Sequence, residues 1–327
     1  MVLPRAVRDR RAVLSAIAQE TKAALPDVLR QSPHLKADGS EKLDADEIPA
    51  LEPANCPGFR LSSDPRSCGT HVKVLNEDTL DAAIMMGESL AEPVDAQSGR
   101  SQRVAVLNLA SDKNPGGGWL TGALAQEEAL CYRSSLALSL HKRYYPWRPT
   151  TAVYTRDVVV IRSSMSSGHK LLAPEMPAMQ LPVVSVISVA ALRRPALRAA
   201  PEETSGETSG ETSGETSGDH TRHHQAKFKY PADRELTKNK MRLTLRIAAR
   251  EKHELLVLGA LGCGAFRNPP DEVARCWAEV LGESEFREGW WREIWFAVLD
   301  TRNEGNFSIF DRILGAKNFG VVDPGPH

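Results

Sequence analysis

Apolar residues along this chain fall into short, nearly unbroken runs separated by segments of helical period. RVAVLNLA (103–110), DVVVIR (157–162), PVVSVISVAA (182–191), ELLVLGAL (254–261) and EIWFAVLD (293–300) are such runs. A run without alternation predicts a strand covered on both faces. HVKVL (71–75) predicts a shorter strand, and Asn76–Thr79 supplies caps for a helix through about Glu92. Helices are further predicted over about 122–141, 234–252 and 270–283, and from about Phe307. In the second of these, Met241, Leu245 and Ala248 recur at helical spacing. Residues 5–30 read as one or two surface-docked helices ending near Pro26, and 31–68 as a long connection. Strands alternating with helices predict an α/β sandwich.

Residues 203–218 are four copies of Glu-Thr-Ser-Gly, which have nothing apolar to bury and predict a solvated loop. HTRHH (220–224) has the composition of a metal cluster, but beside that tract it reads as solvated.

The 327 residues allow one large domain or two small ones, and 41% hydrophobic content suits a globular core. A net charge of −1 excludes the broad positive field of a non-specific nucleic-acid binder. An anionic ligand must therefore be held by backbone amides and single arginines. Five scattered cysteines form no zinc-type spacing and point to a reducing, intracellular setting. Neither a signal peptide nor a membrane span is read, which leaves cytosol or nucleus. No metal or cofactor is implied.

The chemistry concentrates in NLASDKNPGGGWLTGALAQEEALCYRSSL (108–136). A buried strand ends, and Gly116, Gly117 and Gly118 follow. Three glycines permit positive φ and close approach of a ligand to the backbone, and amides in such a turn form an anion nest. Seven residues later stand Gln126, Glu127 and Glu128 at a helix start. One glutamate can protonate a leaving oxygen while its neighbour fixes sugar hydroxyls. The plainer alternative is an ordinary loop, with a glutamate pair that suits the helix dipole. GALGCGAFRNPP (259–270) repeats the theme: Gly262, Cys263, Gly264 and Ala265 make a tight turn, and Phe266 offers an aromatic plate. Alone it reads equally as a tight strand–helix turn. Two Gly-rich loops at strand ends suit a crevice for a diphosphate. Neither is a P-loop or a dinucleotide fingerprint.

GGG followed by seven residues and QEE resembles the signature of poly(ADP-ribose) glycohydrolases, and the flanking residues resemble the microbial branch. The resemblance also covers TKAAL, THVKVLNEDTLDAA (70–83), PVVSVISVAA and LGALGCGAFRNPP, and so spans most of residues 15–320. It implies a macrodomain-like three-layer sandwich, a mixed sheet with helices on both faces. An N-terminal helical extension and connection (1–69) would precede a catalytic domain (70–327). It further implies hydrolysis of the ribose–ribose bonds of ADP-ribose polymers. By the same resemblance, Glu128 is the catalytic acid and Glu127 holds the terminal ribose. Gly116–Gly118 and Gly262–Ala265 become the diphosphate loops, and Phe266 packs on the distal ribose. Gln126 and Asn114 are carried as polar ligand contacts, while Asp112 receives no role. The partners expected are ADP-ribose, its polymer and ADP-ribosylated proteins, with no membrane and a monomeric chain. A non-catalytic ADP-ribose reader, or a hydrolase of another ADP-ribose linkage, remains the rival reading.

A general acid needs a raised pKa, whereas a helix N-terminus lowers it, so burial and the like charge of Glu127 have to prevail. Other residues have two readings each. Trp290, Trp291 and Trp295 read as core or interface. Phe307 or Phe310 either stacks on adenine or merely packs. Arg133 and Arg267 either touch phosphate or lie on the surface.

Overall fold

The structure is a computed structural model, and it describes residues 4–61, 64–90, 103–199 and 226–322. The Glu-Thr-Ser-Gly repeats and HTRHH lie outside the described residues. Helices are α1 (Arg5–Arg30), α2 (Thr79–Leu90), α3 (Gln126–Arg133), α4 (Leu136–Ser139), α5 (Pro231–Arg250), α6 (Pro270–Leu281) and α7 (Asn306–Leu314). Strands are β1 (Glu41–Asp44), β2 (Arg60–Leu61), β3 (Asp64–Leu75), β4 (Ala105–Leu109), β5 (Thr151–Val159) and β6 (Val183–Val189). They continue with β7 (Leu197–Arg198), β8 (Lys227–Phe228), β9 (Leu255–Leu258), β10 (Glu293–Ala297) and β11 (Lys317–Val322).

Nine strands form one mixed sheet in the order β1-β5-β6-β4-β9-β10-β3-β11, with β2 on β3. The five from β6 to β3 run parallel, and the flanking strands run antiparallel. The unbroken apolar runs are explained by the burial. Ala105, Leu107, Leu256, Leu258, Ile294 and Phe296 face a core shared with Met241, Leu245, Trp277 and Phe310 of α5, α6 and α7. The alternate residues Val104, Val106, Leu255, Val257, Trp295 and Ala297 face Leu14, Leu80, Met86 and Leu130 of α1, α2 and α3. Each fully buried aliphatic side chain contributes roughly 2 kcal/mol. The result is the expected three-layer, macrodomain-like sandwich, and the three tryptophans Trp290, Trp291 and Trp295 are buried in it.

Several boundaries differ from the sequence reading, each for a tertiary reason. Helix α1 continues through Pro26 to Arg30. Proline removes one backbone bond, but Leu25 and Val28, 1% and 4% exposed, pack with Val159 and Ile161 and offset it. The helix expected over 122–141 splits, because Ser134 turns extended and bridges Val160. The Arg133 carbonyl there accepts from the amides of Ile161 and Arg162. The connection 31–68 contains β1, which joins the sheet edge by pairing with β5. β3 begins at Asp64 rather than His71, since its polar first half pairs with β11.

Candidate active site

Parallel strands place both Gly-rich loops at one end of the sheet. β4 and β9 are neighbours, paired through Ala105–Leu256 and Val106–Val257. The loops that follow them, 110–118 and 259–268, therefore emerge side by side. β6 lies on the other side of β4, and its continuation at Ala191 touches the Gly262 turn.

The first loop needs its glycines. Gly116 and Gly117 have φ of +67° and +58°, a region that costs other residues energy. Gly116 is wedged against Trp119 and Cys131, where a Cβ would lie 2.8 Å from Trp119 Cδ1 and 3.0 Å from Cys131 Sγ. At Gly117 a Cβ would lie 2.3 Å from Glu128 Oε1 and 3.2 Å from Glu127 Oε2. Both carboxylates thus converge on the backbone of the glycine loop.

Each glutamate is fixed by backbone. Glu128 accepts from the amides of Gly118 (2.9 Å) and Ala125 (3.0 Å), and the latter bond caps the start of α3. Its oxygens keep lone pairs beyond those two bonds. Glu127 Oε2 accepts from the Ser111 amide at 2.7 Å, and its Oε1 lies 3.4 Å from Asn108 Nδ2. Burial raises the Glu127 carboxyl to about 8, helped by the charge of Glu128 and opposed by the bond from Ser111.

Gln126 faces the sheet. Its Oε1 accepts from the Leu109 amide (2.8 Å) and its Nε2 donates to the Leu107 carbonyl (2.8 Å) and to Thr79 Oγ1 (3.2 Å). Asn114 is exposed; its amide donates to Ser111 Oγ and its carbonyl accepts from Gly117. In the second loop Gly262 has φ of +79° and is buried with Cys263, while Gly264 and Ala265 are exposed. A Cβ on Gly264 would meet nothing within 4 Å, so its backbone stands open. Phe266 is half-buried, with the Arg193 guanidinium 5.7 Å from its ring centre.

Three residues that hold this geometry escaped the sequence reading. Asn108, the one polar side chain inside β4, bonds Ser188 and Glu127. A buried asparagine within an apolar run was the available signal. Asn268 is fully buried and donates to the carbonyls of Leu192 (2.7 Å) and Gly262 (3.2 Å), tying the second loop to the end of β6. Tyr145 stacks on Trp147 with ring centres 5.0 Å apart and packs against the cluster of Ala110 and Ala190 at the ends of β4 and β6.

Arg133 is neither on the surface nor at the loops. It is 2% exposed and bonds Asp78, Asp81 and the Arg162 carbonyl, clamping α3 to the start of α2. Arg267 is exposed. Phe310 lies in the core with no exposed surface, whereas Phe307 is half-buried.

Fold and loops together define a macrodomain-like α/β protein with a carboxylate pair set against its glycine loop. Residues 18–163, which contain that loop and pair, match the model of the microbial-type poly(ADP-ribose) glycohydrolase catalytic domain. The fold is similar to poly(ADP-ribose) glycohydrolase from Thermomonospora curvata. That likeness has a TM-score of 0.64 and 24% identity, over 93% of this chain and 100% of that one. The Thermomonospora curvata enzyme bound to the inhibitor ADP-HPD gives 0.62 and 23%, over 92% and 99%. The Deinococcus radiodurans enzyme in complex with ADP-ribose gives 0.57 and 26%, over 84% and 93%. No curated protein matches the sequence. By sequence over residues 18–163 and by fold over most of its length, the chain is similar to the microbial-type poly(ADP-ribose) glycohydrolases.

Proposed function

We propose that the chain cuts the ribose–ribose O-glycosidic bonds of ADP-ribose polymers and releases ADP-ribose, with Glu128 as acid and then base. The observation that carries this reading is the convergence of Glu128 and Glu127 on Gly117. A diphosphate lying along the open backbone of the Gly116–Gly118 turn puts the attached ribose beside both acids. Gly262–Ala265 would flank the diphosphate from the neighbouring strand end, and Phe266 would pack on the distal ribose.

Glu128 protonates the 2′ oxygen of the departing unit, and the terminal ribose becomes oxocarbenium-like at C1″. The same carboxylate then takes a proton from the water that adds to C1″. One carboxylate serves in both steps, because Glu127 is buried and bonded to Ser111 and Asn108. Glu127 holds its proton at neutral pH and is suited to orient the sugar hydroxyls.

The test is Glu128→Gln, incubated with labelled polymer and followed by chromatography of the products. The variant should bind ADP-ribose with unchanged affinity and cut at least about a thousandfold more slowly, as expected on losing a proton donor and the matching base. Equal cleavage by the variant overturns the assignment. Binding without cleavage by the unaltered chain makes it a reader instead.

A further inference from the structure

Helix α1 brings a basic cluster to the rim of the active site. Its first two turns carry Arg5, Arg8, Arg10 and Arg11, all exposed, against the single acid Asp9. The whole chain has a net charge of −1, so this excess is local. Arg5 lies 3.8 Å from Asp9. Among the described residues, Arg8, Arg10 and Arg11 have no carboxylate within ion-pair distance.

The placement follows from the helix phase. Leu14, Ala18, Thr21, Leu25 and Val28 form the buried face. Stepping back one turn from Leu14 puts Arg10 and Arg11 on that same face. There the helix crosses the turn Trp119–Gly122. A Cβ on Gly122 would lie 2.1 Å from the Arg11 carbonyl oxygen, and Ser15 Oγ donates to the Leu120 carbonyl at 2.8 Å. That turn follows directly on Gly118, whose amide holds Glu128. On its far side Tyr132 donates to the Ala123 carbonyl at 2.7 Å, and the Arg11 charge reaches the Tyr132 hydroxyl. Arg11 therefore lies against the turn that continues the glycine loop, four residues on from the amide that holds Glu128.

We propose that Arg8, Arg10 and Arg11 form a subsite for the pyrophosphate of the leaving ADP-ribose unit, the one whose 2′ oxygen Glu128 protonates. This inference rests on the polymer-hydrolase reading. Guanidinium groups suit phosphate oxygens through paired N–H donors. Only a polymer offers phosphates on the leaving side; a single ADP-ribose attached to a protein side chain does not. The subsite thus selects polymer over mono-ADP-ribosylated protein.

The test uses the full chain with all three positions changed, R8E/R10E/R11E, beside R8K/R10K/R11K. The expected result for the glutamate variant is a KM for polymer raised on the order of tenfold, because three exposed guanidinium–phosphate attractions are removed together. Its KM should also depend less on salt. kcat and the Kd for free ADP-ribose stay as in the unaltered chain, and the lysine variant recovers most of the KM. An unchanged KM for polymer in the glutamate variant overturns the subsite while leaving the hydrolase reading intact. Parallel loss of ADP-ribose affinity also overturns it, since the turn at Gly122 has then been damaged. A short DNA duplex bound through these arginines, with polymer KM unmoved, assigns them to nucleic acid and overturns it as well. Failure of the unaltered chain to cut polymer refutes the hydrolase reading itself, and the subsite with it.

Discussion

A methyl group at position 117 probes the active-site geometry at its tightest point. In Gly117→Ala the new Cβ would sit 2.3 Å from Glu128 Oε1, where ordinary contact begins near 3.4 Å. The oxygen must retreat by about 1 Å, and a displacement of that size costs on the order of a hundredfold in rate. Retreat also breaks the bond from the Gly118 amide. That loss costs about 1 kcal/mol, and alanine at a φ of +58° roughly another 1 kcal/mol. The variant should lose about a hundredfold in kcat on polymer and melt several degrees lower. Gly264→Ala is the matched control, because its Cβ meets nothing within 4 Å and its backbone φ is not positive. It should melt like the unaltered protein. Steady-state kinetics and scanning calorimetry on both variants decide the matter. A kcat for Gly117→Ala within about threefold of the unaltered chain refutes the claim that acid and loop are in contact.

Glu127 predicts a pH effect on stability. Its carboxyl ionises near 4.5 when unfolded and near 8 in the fold. Between these values the unfolded chain has released a proton that the folded chain keeps, so rising pH favours unfolding; the penalty is absent below the window and complete above it. Relative to the unaltered protein, Glu127→Gln should gain a few kcal/mol between about pH 5 and about pH 9. Parallel denaturation curves for the two proteins across that range contradict this. Arg133→Ala removes a buried guanidinium from Asp78 and Asp81 and should cost about 3–5 kcal/mol in urea denaturation. A cost below about 1 kcal/mol would show the clamp to be dispensable.

Much of this architecture is readable from the chain itself. The parallel strands β4, β6, β9 and β10 are apolar on both faces because helices cover both, so their runs stand out. The glycine loops stand out for a related reason, as positive φ at Gly116, Gly117 and Gly262 leaves little choice of residue. Edge pairing is what local pattern does not reveal. β1, with the sequence EKLD, buries only Leu43, and it becomes a strand because β5 offers an unpaired edge. Helix α1 outlasts Pro26 through packing against residues more than a hundred positions away. Within the active site, the glutamates were legible as a motif, but Asn108, Ser111 and Asn268 were not. Their roles depend on which strand ends become neighbours, and that is set by sheet order.

The position of Gln126 has a wider consequence. β4 pairs with β6 along its whole length but with β9 only through Ala105 and Val106. Past that point the side-chain amide of Gln126 occupies the Leu107 carbonyl and the Leu109 amide, as a strand would. A single residue thus completes the ladder where the strands part, and it pins α3 to the sheet floor. Glu128, two residues on, is thereby indexed to the framework as well as to the seven residues between glycines and glutamine. Within that stretch the fixed points are Gly122, set against the Arg11 carbonyl, and Ala125, whose amide bonds Glu128; changes elsewhere in it leave the Gln126 anchor in place.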